Sequence, residues 1–356
     1  MRILTVIGNR PQFVKAAAVS GRLRSQHDEV LVHTGQHHDD ELSRIFFEEL
    51  DVPAPEHQLD VHGGSNSSQT ARMLAALAPL MDDVSPDVVL VYGDTNSTLA
   101  GGLAGAQGGV PVAHVEAGMR SFDRAMPEEL NRVLTDHLSA LLLCASPTAV
   151  ENLRAEGVRG AVELVGDVMV DVARLVQPRA RERTAALEAA GVRSGEFVLA
   201  TVHRAGNVDD PARLEALVAL LEGVGEPVAL PLHPRTRARL EAAGLLARVE
   251  AIAGMRVLAP LGYLDFTALL CHARAVLTDS GGVQKEAYLA GVPCVTLREV
   301  TEWVETVEAG WNVLVGLDAA AARGALERTP PAARPDLYGD GRAGERVVSS
   351  LRLAAA

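Results

Sequence analysis

The sequence predicts an α/β protein with two Rossmann-like domains of parallel sheet, and three observations carry that reading. Short all-apolar runs recur along the chain. Each is followed by a polar turn and a segment with helical spacing. The rhythm breaks once, between Asp171 and Arg193. Alternation of strand and helix at this pitch makes βα units. Runs that are apolar at every position suit strands covered on both faces.

In the first half the predicted strands are Ile3–Ile7, Val30–His33, Val88–Tyr92, Val112–Val115, Leu141–Cys144 and Val162–Val165. In the second half they are Val198–Val202, Val228–Leu232, Val257–Leu258, Ala275–Leu277 and Cys294–Leu297. Helical spacing fills the intervals, for example Pro211–Leu221 and Val283–Leu289. The break holds Pro178, several Arg and Glu residues, and Gly191, and reads as a linker plus an amphipathic helix. A second polar, proline-rich stretch lies at Thr329–Pro335, and Tyr338–Leu353 reads as a helix. The predicted domains are therefore residues 1–170 and 171–337, with the helix in 338–356 packing back on the first.

The 356 residues are comfortable for two domains, and the composition, 48% hydrophobic and 22% charged, is that of an ordinary globular chain. A formal net charge of −13 argues against nucleic acid as a partner. An anionic ligand would need a local cationic pocket. No run of 18 apolar residues predicts a membrane span, and MRILTVIGNR reads as a strand and turn rather than a signal peptide, so a cytoplasmic protein is expected. Cys144, Cys271 and Cys294 have no CxxC spacing and lie in or beside apolar stretches, which predicts buried thiols. There are two lysines, Lys15 and Lys285, and both fall inside the motif segments below.

Ligands of open parallel sheets sit beyond the carboxyl ends of the strands. The polar residues there are Asn9–Arg10, Gly93–Asp94, His114 and Glu116 in the first half. In the second they are His203–Arg204, His233 and Asp279–Gly282. Two such rims facing one another would line a cleft with carboxylates on one side and histidines and amides on the other. Ser280, Gly281 and Gly282 leave backbone amides uncovered where a helix begins, which favours a phosphate. Glu286, about one turn on, suits ribose hydroxyls. Arg10 can clamp a diphosphate with its planar fork, and Lys15 falls one helical turn beyond Pro11–Gln12.

Asp94 and Glu116 follow two different strands, and paired carboxylates suit proton transfer. Asp94 equally fits a helix cap, and Glu128 or Glu129 equally fits the acid of a first helical turn after Pro127. In TGQHHDDE, from Thr34 to Glu41, acids and imidazoles are adjacent rather than one turn apart, so a metal site is not predicted. His37 and His38 read as loop residues. No GxSxG, HExxH or GxxxxGK[ST] string occurs.

Eleven segments together resemble one family. They are GNRPQFVK, TGQHHDDE, PDVVLVYGDTNSTLAG, PVAHVEAGMRS, PEELNRVLTDHLS, VGDVMVD, TVHRAGN, PLHPRT, PLGYLDF, LTDSGGVQKEA and YGDGRA. In order and spacing the chain is similar to the non-hydrolysing UDP-N-acetylglucosamine 2-epimerases over nearly its whole length. The resemblance implies a GT-B architecture, usually as a homodimer, with no cofactor and no metal. It implies loss of the carbon 2 proton with anti elimination of UDP, a 2-acetamido glycal, and return of UDP to carbon 1 as a proton enters the other face of carbon 2.

By the same resemblance Asp94, Glu116 and Glu128 match the catalytic carboxylates, and Lys15 a lysine near the sugar. Arg10, His203, Ser280, Gly281 and Gly282 match UDP contacts, Glu286 the ribose carboxylate and Phe266 a residue beside the uracil; His233 lines the same cleft. The departures from the family pattern are Gln12 for Glu, Leu261 for Gln, Trp303 for Arg, Lys285 for Glu and Asp39 for Gln. Asp39 lies in the segment that binds a second, allosteric UDP-sugar in many bacterial members. The RPQ and TEW strings resemble the branch that epimerises UDP-2,3-diacetamido-uronic acids. A GT-B glycosyltransferase using a UDP-sugar donor is the rival class, but it would need an open acceptor cleft where the acids stand.

Overall fold

The computed structural model of the protein describes residues 1–36, 49–50 and 52–354. The chain divides into two compact units, Met1–Arg174 with Tyr338–Ala356, and Leu175–Leu337.

The first unit is a parallel sheet of seven strands. They are β1 (Arg2–Ile7), β2 (Asp28–His33), β3 (His57–Gln58), β4 (Val88–Tyr92), β5 (Val112–Ala117), β6 (Leu141–Cys144) and β7 (Ala161–Leu164). Their order across the sheet is β3-β2-β1-β4-β5-β6-β7. Parallel strands need crossovers, supplied in chain order by α1 (Arg10–Ala17) with α2 (Ser20–Arg24), α3 (Asn66–Val84), α4 (Asn96–Gln107), α5 (Pro127–Leu138) and α6 (Pro147–Glu156). Alternate residues Leu4, Val6, Val89 and Val91 face α3 and α4 through Met73, Leu77, Met81, Ala100 and Ala104. Leu142 and Cys144 pack with Ala149 and Leu153 of α6.

The break predicted at Asp171–Arg193 is two helices rather than a linker, α7 (Val168–Arg181) and α8 (Thr184–Ala190). Pro178 lies inside α7 and has no N–H to donate to the carbonyl one turn back, at Arg174. The units divide at that residue.

The second unit holds a parallel sheet of six strands, β8 (Val198–Thr201), β9 (Val228–Pro231), β10 (Met255–Leu258), β11 (Ala275–Thr278), β12 (Cys294–Thr296) and β13 (Asn312–Leu314). The order is β10-β9-β8-β11-β12-β13. Between them run α9 (Ala205–Val208), α10 (Pro211–Glu222), α11 (Pro234–Ala242), α12 (Leu246–Glu250), α13 (Tyr263–His272), α14 (Gly281–Ala290) and α15 (Val304–Glu308), and α16 (Ala319–Leu326) follows β13. Val198, Ala200 and Leu277 pack on α10 and α16, whereas Phe197, Leu199 and Val276 pack on α8, α13 and α14. Both faces are covered, which is why the strands read as unbroken apolar runs.

The final helix α17 (Ala343–Ser350) lies with the first unit: Asp171 accepts hydrogen bonds from Ala343 N and Gly344 N at 3.0 and 3.1 Å. Cys144, Cys271 and Cys294 are buried free thiols, and burial pushes the Cys144 and Cys294 thiols up to about 12. Among the described residues, no helix is long and apolar enough to cross a membrane.

In each sheet the strand order reverses direction beside the first strand, between β1 and β4 and between β8 and β11. Such switch points open a crevice at the carboxyl ends of the two strands. Asn9, Asp94, His203 and Ser280 follow the ends of these four strands.

Candidate active site

In the first unit, the turn after β1 is drawn close to its neighbours. A Cβ on Gly8 would lie 2.1 Å from both Ser97 Oγ and Thr34 Oγ1, so only glycine fits. Asn9 caps α1, its Oδ1 accepting from Gln12 N at 3.2 Å. The buried Gln12 amide then joins two strand ends. It accepts from Gly8 N at 2.7 Å and donates to Tyr92 O at 2.9 Å and Thr98 Oγ1 at 3.0 Å. Both a donor and an acceptor are used, which an ionised glutamate could not supply. Arg10 opens α1, half-buried. Lys15, on the same helix, forms an ion pair with Glu116.

Glu116 holds a costly backbone. Its φ is +70° and the register between β5 and β6 shifts between Val115 and Ala117, so it sits on a bulge. A left-handed non-glycine residue costs about 1–2 kcal/mol, and such strain collects where a side chain must be aimed. Gly93, also left-handed at φ +64°, passes beneath the pair: a Cβ there would lie 3.1 Å from Lys15 Nζ and 3.4 Å from Glu116 Oε2.

Asp94 follows Gly93 and pairs with Arg132 of α5. Asn131 donates to the Asp94 carbonyl at 3.0 Å. Thr95, not Asp94, is the cap of α4, with a reciprocal bond to Thr98. The two glutamates of α5 part company. Glu129 is buried and accepts from Ser121 N and Oγ, Phe122 N and Arg132 Nη1, each at 3.0 Å. Glu128 is exposed, and among the described residues its carboxylate makes no hydrogen bond or ion pair. Asp94, Glu116 and Lys15 are thus brought to one rim, and the structure joins Glu129 rather than Glu128 to them, through Arg132.

A buried network beneath was not legible from the motifs. His114 of β5 bonds Gly93 O through Nε2 at 2.6 Å and Asp136 Oδ1 through Nδ1 at 2.7 Å. Asp136 also receives Gly118 N at 3.1 Å and pairs with Arg120 at 2.8 Å; Arg120 in turn grips Glu156 through two bonds, at 2.7 and 2.6 Å. Burial alone would raise the Asp136 carboxyl, but the bond and charge of His114, with Arg120, hold it below the usual range. His37, His38 and Asp39 lie outside the described residues.

In the second unit, Asp279 at the end of β11 is fully buried and serves the backbone. Its carboxylate accepts from His203 N at 3.1 Å, Arg204 N at 3.0 Å and Asn207 Nδ2 at 3.1 Å, fixing the turn after β8. His203 is thereby presented beside His233, ring centroids 5.4 Å apart. Burial pushes the His203 imidazole down against the pull of Asp279, with Arg204 and Arg235 adding to the fall. His233 caps α11, accepting from Arg235 N at 3.2 Å.

Ser280 caps α14, whose first residues are Gly281 and Gly282. A Cβ on Gly281 would strike Glu302 Oε1 at 2.1 Å, whereas at Gly282 the nearest neighbour is 4.0 Å away. The amides of this first turn have no partner within the helix. Glu286, on α14, accepts from Tyr263 Oη at 3.3 Å. Burial raises its carboxyl to about 7, opposed by the Tyr263 bond and the Lys285 charge. Phe266 of α13 is half-buried, packed on the core with Leu261 and Val283. Two departures from the family pattern meet: the Lys285 ammonium stands 4.1 Å from the centroid of the Trp303 ring, a cation–π contact inside the unit.

The sequence model of the family described as UDP-N-acetylglucosamine 2-epimerase matches residues 22–352. The chain belongs to that family. It is 48% identical to the UDP-2,3-diacetamido-2,3-dideoxy-D-glucuronate 2-epimerase of Pseudomonas aeruginosa, over 99% of each chain. It is 44% identical to a UDP-N-acetylglucosamine 2-epimerase homolog of Methanococcus maripaludis, again over 99% of each. Among solved structures it resembles the Methanocaldococcus jannaschii UDP-GlcNAc 2-epimerase in complex with UDP-GlcNAc and UDP, with a TM-score of 0.92 and 37% identity over 99% of each chain. The family is one of isomerases, and its structures share the two parallel sheets described above, the GT-B fold.

Proposed function

We propose that this member inverts carbon 2 of a UDP-linked 2-acetamido sugar, UDP-N-acetylglucosamine to UDP-N-acetylmannosamine, by elimination and re-addition of UDP. The observation that carries this reading is the Lys15–Glu116 pair on its strained bulge over Gly93, beside the Asp94–Arg132 pair. A carboxylate takes the carbon 2 proton. The bond from carbon 1 to the diphosphate oxygen breaks on the opposite side, its electron pair leaving with UDP and a glycal remaining. The diphosphate oxygen then returns to carbon 1 while a carboxylic acid gives a proton to the other face of carbon 2. Asp94, Glu116 and Glu128 are the proton carriers, with Arg132 paired to Asp94 and Lys15 paired to Glu116.

The second unit supplies the nucleotide subsite. The amides of Gly281 and Gly282 at the start of α14 and the Ser280 hydroxyl suit the diphosphate, with His203 and His233 as its further partners; Arg10 of the first unit is proposed as another diphosphate contact. Glu286 suits the ribose and Phe266 the uracil. No cofactor takes part in this scheme.

A second reading is favoured by a specific observation. The buried Lys285–Trp303 contact replaces a family Glu and Arg, and the chain is 48% identical to an epimerase of a diacetamido uronate. On that reading the sugar is a UDP-2,3-diacetamido-uronic acid. A panel of the two UDP-sugars, followed by proton NMR, decides between them: the substrate converts to an equilibrium of gluco and manno isomers and the other does not. If neither converts while UDP binds, the epimerase reading fails.

Free buried thiols suit the cytoplasm. Two copies of the 37.6 kDa chain are proposed to associate, which light scattering reads directly.

A further inference from the structure

We infer that His114 is held as an imidazolium, protonated on both ring nitrogens, and that it is the positioning residue for the turn that carries Asp94. His114 is wholly buried, so no solvent completes its bonding. Its Nε2 lies 2.6 Å from the Gly93 carbonyl, and a carbonyl only accepts. Nε2 therefore carries a proton. Its Nδ1 lies 2.7 Å from Asp136 Oδ1.

The other oxygen of Asp136 already takes Gly118 N and the Arg120 guanidinium. A carboxylate that serves an arginine and a backbone amide is ionised and accepts only. Nδ1 therefore carries a proton as well. The charges close: Arg120 is matched by Glu156, at 2.6 Å, and His114 by Asp136. The neutral alternative needs Asp136 protonated while it faces Arg120, which forfeits that ion pair in a buried setting.

The consequence lies at Gly93. Its carbonyl is fixed from below by a charged donor, and its left-handed backbone leaves room above for Lys15 and Glu116. Asp94 is the next residue. A charge-assisted bond is shorter and stronger than a neutral one, so the turn keeps one geometry while the acids above it gain and lose protons. The other charged or titratable groups around this network are Arg120 and Glu156, His137 at 3.8 Å from Glu156, the Cys144 thiol of β6, and the Lys15–Glu116 pair.

The protonation state is independent of the proposed reaction, and the positioning role rests on it, so the two are tested apart. In the intact protein labelled with ¹⁵N-histidine, two-bond proton–nitrogen spectra are recorded well above the ordinary imidazole range. The spectrum reads the eleven histidines one by one. One is expected to show two protonated nitrogens, and to vanish in His114→Gln or convert in Asp136→Asn. A wild-type spectrum with no such residue, or one that persists in both variants, overturns the inference. For the positioning role, His114→Asn is expected to lower kcat about 100-fold, the scale of a small misplacement of reacting groups, with KM nearly unchanged. A raised KM with kcat intact overturns it.

Discussion

At the scale of single residues, the strand-end rule singles out Asp94 and Glu116 from sequence, because each follows an apolar run directly, and Lys15 is singled out by its place one helical turn beyond Pro11–Gln12. It could not show what stood beneath them. Asp136 lies 22 residues from His114, on the helix that follows its strand, and Glu156 lies 36 residues from Arg120, and no short motif encodes pairings at such separations. Nor could it separate Glu128 from Glu129, since both fit the first turn of α5. The structure gives Glu129 a holding role and leaves Glu128 exposed. Asp94→Asn, Glu116→Gln and Glu128→Gln are each expected to lower turnover at least ~100-fold, the scale of a lost acid or base, with UDP affinity kept, as steady-state kinetics and calorimetry would read. Loss of UDP binding in any of them would reassign that residue to structure.

Glu286 makes a separate prediction from its raised carboxyl. Its folded value is about 7 against an ordinary 4.5. The folded state holds that proton more tightly, so the residue's contribution is intact below the ordinary value and declines as pH rises through this window. Above it, a buried charge costs up to about 3 kcal/mol, less the share that partial exposure returns. Glu286→Gln is therefore expected to gain stability relative to the wild type between acid and neutral pH, in urea titrations at several pH values, and to weaken UDP binding. A stability difference that does not change with pH contradicts this.

At the scale of elements, the long, periodic features were legible and the short ones were not. β3 and β13 have two and three residues, too few for a pattern, and β3 is His57–Gln58. α7 was hidden by Pro178, which reads as a break but sits inside the helix, towards its last turns. The tight turn at Gly8 needs its neighbours to be known before its glycine is explained. Gly8→Ala is expected to cost about 1–3 kcal/mol, the range for forcing atoms into a filled site. Gly206→Ala, in α9 with nothing within 4 Å of the added carbon, is expected to be neutral or stabilising. Equal stability of the two variants in denaturant unfolding would mean that Ser97 and Thr34 yield freely.

At the scale of the molecule, each unit has its own covered sheet, and each sheet places its chemistry at its own switch point. The ion pairs Lys15–Glu116 and Asp94–Arg132 lie in the first unit, and the Gly281–Gly282 helix start with His203 and His233 lies in the second. On the proposed mechanism the first unit's carboxylates exchange a proton at carbon 2. In heavy water, with the UDP-sugar that the panel selects, deuterium is expected at carbon 2 of both isomers, with UDP regenerated rather than consumed. Conversion between the isomers with carbon 2 still carrying its original proton would contradict the account.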